Sequence, residues 1–287
     1  MIGYKKLIIG EKRIMARAVA WSPDGKKIVV GIGGRVGMRK VGTQAKHDGE
    51  IYIFKVVADP TIKSNFLLED HMPTVLASGH TLKSHPRKWI SDIKFSKQTL
   101  AVAAHDNQIY LYNAQTFTLR CKCKGHSGSV LHIDFSMDGR ILQSTSNDYE
   151  LLFWDVNTGK QQTRVSAFRD QEWDTFTCPL GWPVQGIWPK SADGTDINAV
   201  DLYQSDLDKQ LIKNNKCNQY VGLLATVDDF GKVKLFNSPA EKSGSASIEY
   251  RGHSAHVTNV RFTNGKNQPT YLISTGGEDR AVMQWTL

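Results

Sequence analysis

His126, Ser146 and Asp148 place an imidazole, a hydroxyl and a carboxylate in one short stretch, with the indole of Trp154 six residues further on. A histidine, a serine and an aspartate in reach of one another are the raw material of nucleophilic hydrolysis. The positions argue against that chemistry. His126 precedes one alternating run, Ser146 closes a second, Asp148 falls in the tight turn after it, and Trp154 lies on a third. A single strand-turn-strand element supplies neither a nucleophile elbow nor an oxyanion hole. The same four groups can instead chain hydrogen bonds from indole through hydroxyl and imidazole to carboxylate, satisfying each polar group as it is buried. The expectation is a structural lock. His253, Asp279 and Trp285 repeat the pattern near the end of the chain, but Gly277 stands where the hydroxyl is expected, so this second lock is expected to be incomplete.

Two other groupings invite chemical readings. Cys121-x-Cys123 beside His126 is a metal half-site in composition, yet residues i and i+2 of a strand share a face and no second ligand pair follows at zinc spacing. No metal and no cofactor are expected. Gly31-Ile32-Gly33-Gly34-Arg35-Val36-Gly37 has the glycine content of a nucleotide loop, but its third glycine comes one position late and no helical pattern follows. It reads as a flexible loop entry.

The elements that must position these groups recur. A unit consists of an alternating apolar run, a turn, a second run, an aspartate, and six residues later an aromatic closing a third run. Four segments fit: residues 18–25 leading to Asp48 and Phe54, residues 90–95 to Asp106 and Tyr112, residues 130–135 to Asp148 and Trp154, and residues 257–262 to Asp279 and Trp285. A fifth begins at residues 197–202 and closes at Phe236, with Asp229 seven residues before it. The closing aromatics at 54, 112, 154, 236 and 285 leave steps of 58, 42, 82 and 49 residues, and the 82-residue step has room for two units. Residues 173–178 and 184–188 inside it are strand-like without the aspartate-to-aromatic signature, and read as a degenerate unit. Short strands at this spacing, with no amphipathic helical period of useful length, predict an all-β propeller of six or seven blade positions, one degenerate. Residues 1–287 are expected to form one domain, its ring closed by residues 4–9 pairing beside residues 283–287. Tyr112 and Phe236 stand in the tryptophan slot, so their blades are expected to rely more on packing.

Three stretches interrupt the period and read as surface loops: residues 33–47, 59–86 and 191–219. The first carries Arg35, Arg39, Lys40 and Lys46, the candidate partner-binding residues. Composition narrows the setting. The chain is 40% hydrophobic, enough to offset chain entropy, and has no apolar stretch near the roughly 18 residues that span a bilayer. Four cysteines and no Asn-x-Ser/Thr sequon fit a reducing, cytoplasmic setting. Thirty-six Lys+Arg against 28 Asp+Glu give a net charge of +8, favouring acidic partners. That charge is scattered and accompanied by no nucleic-acid motif, so neither nucleic acid nor membrane is expected as a partner.

The Gly-His to Trp-Asp framing (Gly125-His126 to Trp154-Asp155) is that of WD repeats, and several stretches are more specific. Residues 147–155 (Asn-Asp-Tyr-Glu-Leu-Leu-Phe-Trp-Asp), 194–200 (Gly-Thr-Asp-Ile-Asn-Ala-Val), 228–236 and 252–262 together resemble the echinoderm microtubule-associated protein-like family. So do Trp173-x-Thr175-x-Thr177-Cys178 and Ser274-Thr275-Gly276-Gly277-Glu278-Asp279. The resemblance covers most of residues 14–287 and implies the C-terminal propeller of a tandem pair, preceded by another propeller in a larger protein. Two features of the family, the hydrophobic motif opening the first propeller and the N-terminal basic coiled coil, are not found in this sequence. The resemblance further implies a cytoskeletal, non-enzymatic interaction module whose partners are tubulin or microtubules. A general WD-repeat scaffold assembling other proteins uses the same fold and is the alternative.

Overall fold

The computed structural model describes residues 14–35, 48–58, 73–81, 86, 88–189, 196–214, 217, 220–263 and 271–286. Successive strands pair antiparallel into five meander sheets. The first contains β1 (Ile14–Trp21), β2 (Lys27–Arg35), β3 (Ile51–Ala58) and β4 (Pro73–Thr81), and the second β5 (Ile90–Phe95), β6 (Thr99–Ala104), β7 (Gln108–Asn113) and β8 (Leu119–Lys124). The third contains β9 (Val130–Phe135), β10 (Ile141–Ser146), β11 (Leu151–Asp155) and the short β12 (Gln161–Gln162). The fourth holds β13 (Ile197–Tyr203), β14 (Gly222–Asp228), β15 (Lys232–Ser238) and β16 (Ser247–Arg251), and the fifth β17 (Val257–Phe262), β18 (Tyr271–Gly276) and β19 (Val282–Thr286).

The repeat comes from turn chemistry. Between first and second strands, Ser22-Pro23-Asp24-Gly25 and Ser136-Met137-Asp138-Gly139 form the same turn: the serine hydroxyl donates to the aspartate, 2.5 Å and 2.6 Å, and the glycine has φ of +66° and +70°. Between second and third strands, the residue after the turn aspartate is left-handed in four sheets: Gly49, Asn107, Tyr149 and Arg280, with φ from +54° to +81°. Only glycine and, less readily, asparagine take that conformation cheaply, so Tyr149 and Arg280 are held there by the strands they join. In the fourth sheet Gly231 is the left-handed residue and Phe230 occupies the aspartate's place. Asp228 takes over the turn, accepting from the backbone N–H groups of Phe230 and Lys232 at 3.0 Å and 2.9 Å. The aspartate that sequence spacing selects, Asp229, instead accepts from the Asn198 amide at 2.7 Å.

The spacing predicted six or seven blade positions; the described residues form five sheets. The difference lies in residues 163–189, which turn through two 3-10 segments, Val165–Phe168 and Trp182–Ile187, and build no sheet. Among the described residues their β-pairing is a single bridge, Ser136 with Trp173. Pro179, Pro183 and Pro189 remove ladder donors here, and the N–H groups of Thr177 and Cys178 go to a side chain. The 82-residue step also absorbs an α-helix, α1 (Asp206–Lys213), inside the stretch read as a loop. Ser205 and Asp208 form its capping box, at 3.1 Å from the Asp208 N–H to the Ser205 hydroxyl and 2.8 Å in return. Residues 4–9, expected to close the ring, lie outside the described residues.

By contacts the chain divides into two compact units, one of residues 1–133, 139–141 and 154–161, the other of residues 134–138, 142–153 and 162–287, the division running through the third sheet. In the first unit, Val29, Ile51 and Ile53 pack on Ile90, Ile93, Leu100, Val102 and Tyr112, joining the first sheet to the second. In the second unit, Val227, Val233 and Leu235 pack on Val257, Val260 and Leu272, joining the fourth to the fifth. Phe176, Val184 and Ile187, from the non-sheet segment, pack on Val200, Leu224 and Phe236 of the fourth.

Candidate functional site

The polar lock is complete in the fifth sheet. His253 precedes β17 and is pinned at both ring nitrogens: Nδ1 lies 2.7 Å from Asp279 Oδ2 and Nε2 lies 2.7 Å from Ser274 Oγ. Trp285 on β19 donates its indole N–H to the same hydroxyl at 2.8 Å. Asp279 also accepts from the Ala281 and Ser254 N–H groups, at 3.1 Å and 3.3 Å. Donation from Ala281, and next from His253, holds the Asp279 carboxyl below its usual range. The expectation that Gly277 leaves this lock incomplete is therefore corrected: the hydroxyl comes from Ser274, three residues earlier. The Gly277 backbone lies instead against His256, donating to its carbonyl at 2.9 Å, and a Cβ there would meet the imidazole at 2.1 Å.

The same register identifies the corresponding hydroxyl of the third sheet. Ile-Leu-Gln-Ser-Thr-Ser of β10 matches Tyr-Leu-Ile-Ser-Thr-Gly of β18, which sets Ser144 in the place of Ser274; both are fully buried. Ser146, the residue that spacing selects, hydrogen-bonds Asp148 within the turn. His126 and Trp154 are both buried, their ring centroids 5.8 Å apart. The strand hydroxyl stands four residues before Asp148 and, because the β18–β19 turn has one residue more than the β10–β11 turn, five before Asp279, so counting two back from the aspartate misses it in both sheets.

This arrangement cannot run a hydrolase reaction. Ser274 has no exposed surface, and its oxygen is already held between an indole N–H and an imidazole. A nucleophile needs an open approach and oxyanion donors beside it. Burial pushes both the Cys121 and Cys123 thiols up, away from the thiolate that metals bind. The glycine run is no loop entry at its start. Gly31 and Gly33 lie within β2, and a Cβ at either would meet Ile90 or Trp89 at 2.5 Å, so these glycines let β2 pack closely on the second sheet.

A second polar centre was not singled out by spacing. Asp134 of β9 is fully buried, and among the described residues the donors that bond it are all neutral. Thr175 and Thr177 donate their hydroxyls at 2.6 Å and 2.8 Å, Thr177 and Cys178 their N–H groups at 2.9 Å and 3.0 Å, and Gln143 its amide at 3.1 Å. A buried carboxylate is tolerable only when so many hydrogen bonds replace its water. Asp201 of β13 does the same for the Phe262 N–H at 2.7 Å, and Asp92 of β5 for the Ile133 N–H at 3.1 Å. Residues 173–178 thus receive from β9 the contact that β17 receives from β13, without becoming a strand.

Of the basic candidates, Arg35 ends β2, its backbone paired with Ile14. Arg39, Lys40 and Lys46 lie outside the described residues. Among the described residues no helix is long and apolar enough to cross a membrane.

The sequence profile described as "Echinoderm microtubule-associated protein second beta-propeller" matches residues 5–287. Echinoderm microtubule-associated protein-like 1 of Homo sapiens is 40% identical over 237 residues, 80% of this chain and 26% of that protein. The 77 kDa echinoderm microtubule-associated protein of Strongylocentrotus purpuratus is 46% identical over 192 residues, 66% of this chain and 25% of that protein. The chain spans about a quarter of the length of these relatives. A chain from a crystal structure of the mitotic checkpoint complex is similar in fold, with a TM-score of 0.60 at 14% identity over 97% of this chain and 76% of that one.

Proposed function

Since the chain belongs to the echinoderm microtubule-associated protein family, in which it matches the second β-propeller, we propose that it is a non-enzymatic interaction module that binds tubulin. The observation that carries this reading is the match over residues 5–287 to a family whose members are named for microtubule association. Two physical features support it. The polar groups that could have done chemistry are spent on holding the sheets, and the net charge of +8 suits an acidic partner. In the same reading the module works in the cytoplasm on the cytoskeleton, beside a preceding propeller. The basic insert carrying Arg35, Arg39, Lys40 and Lys46 contributes through association rate and salt sensitivity more than through affinity.

The test is co-sedimentation or interferometry with tubulin dimers at low and moderate salt. Wild type is expected to bind, and binding to weaken as salt rises; changing the four basic residues to Ser is expected to flatten the salt slope. Absence of wild-type binding even at low salt removes tubulin as partner and leaves a general scaffold. Equal slopes for the two proteins remove only the insert's contribution.

A further inference from the structure

Where β7 turns into β8, Gln98, Asn113, Gln115 and Arg120 line an open depression of about 390 Å³. Its lining carries one cation, three carboxamides and no carboxylate. Asn113 commits its Oδ1 to the turn, accepting from the N–H groups of Gln115 and Thr116 at 2.9 Å and 3.0 Å, which leaves its NH₂ as the group it can offer a ligand. Arg120 donates one bond to Thr99 Oγ1 at 3.2 Å and one to Asn157 Oδ1 at 3.3 Å. Both acceptors are neutral, and a guanidinium has five N–H groups. No carboxylate among the described residues forms an ion pair with Arg120. The nearby Asp155 spends its Oδ1 on the Asn157 and Thr158 N–H groups and the Thr158 hydroxyl.

A fixed guanidinium, steadied by two bonds and flanked by amide donors, is built to accept a planar oxyanion through its remaining N–H groups. We propose that this depression is a docking point for a carboxylate of an acidic peptide segment on a partner protein. The proposal deepens the tubulin reading, on which the choice of partner rests, by giving that acidic partner a defined contact. An open surface site lined by the exposed Gln98, Gln115 and Arg120 and the half-buried Asn113 suits a protruding acidic side chain better than an enclosed small molecule.

The test is fluorescence anisotropy with a short labelled Glu-rich peptide and its Gln-for-Glu counterpart, on the whole chain at low salt. Wild type is expected to bind the Glu peptide and not the Gln peptide. Arg120→Gln is expected to weaken binding about tenfold or more, the loss of a charge-assisted contact. Gln115→Glu, in an exposed turn, places a like charge in the depression and is expected to do the same without touching the fold, so it carries the test if Arg120→Gln does not fold. Equal binding by wild type and both variants, or equal affinity for the two peptides, overturns the proposal. Displacement of the peptide by inorganic phosphate far better than by acetate at equal ionic strength also overturns it, assigning the site to phosphate. Tubulin co-sedimentation separates the two readings. Variants that lose the peptide but keep tubulin leave the docking point standing for another acidic partner, and a wild type that binds the peptide but not tubulin leaves it standing while the tubulin reading falls.

Discussion

The second and fifth sheets solve one problem in opposite ways. In the second, every residue of β6 is buried, the four central residues of β7 are buried, and Tyr112 fills the closing aromatic position with no exposed surface. Burial pushes the Tyr112 phenol far above its usual range. In the fifth, no residue of β19 is fully buried, and the sheet is tied instead by the run from Trp285 through Ser274 and His253 to Asp279. Apolar burial holds a sheet in proportion to the area covered, without direction. A hydrogen-bonded chain fixes distances and angles even where coverage is thin. In these two sheets the tryptophan closes the sparsely covered one and the tyrosine the densely packed one.

The contrast can be broken from the packing side first. Leu100→Ala, which empties a fully buried site of the second sheet, is expected to cost about 2–5 kcal/mol in denaturant unfolding. A loss well below that range would show that packing is not what holds this sheet. Ser274→Ala is next. It strands an indole N–H and an imidazole nitrogen at once and is expected to cost about 1–3 kcal/mol, with the double change Ser274→Ala and Trp285→Phe costing less than the sum of the singles. Strict additivity would mean that the lock does not act as a unit. The smallest effect is in acid. Because folding lowers the Asp279 pKa, its contribution is fully present above the unfolded value near ~3.9 and is lost as pH falls through the lower folded value. The stability gap between wild type and Asp279→Asn is therefore expected to narrow below about pH 4 in urea titrations, and a gap constant with pH would rule this out.

Much of this was legible in the sequence, and for physical reasons. Alternation and turn residues act locally, so the strands leading to Asp106 and Tyr112, or to Asp148 and Trp154, could be placed by eye. What failed was inference across distance or by counting. Residues 173–178 alternate like a strand, but pairing is a property of neighbours, and prolines together with a buried carboxylate diverted their N–H groups. Ser274 was missed because the hydroxyl was sought two residues before the turn aspartate when it stands four or five before it, and Asp228 because Asp229 stood nearer the expected spacing. The helix at residues 206–213 had its signal in Ser205 and Asp208, hidden within a stretch read only for polarity. The match of Trp173-x-Thr175-x-Thr177-Cys178 to a family pattern was visible. Its purpose was not, since that depends on Asp134, some forty residues earlier.

That separation has a consequence for how the protein is made. The donors to Asp134 from Thr175, Thr177 and Cys178 lie 41 to 44 positions further along the chain. A ribosome delivers the carboxylate well before the groups that replace its water, and until they arrive β9 cannot take its charged residue out of solvent without a penalty of several kcal/mol. The third sheet is thus obliged to wait on a segment that is not part of any sheet. A chain truncated before residue 175 keeps all of β9, β10 and β11 yet lacks what lets Asp134 be buried, so a cut chosen by strand boundaries alone falls in the wrong place.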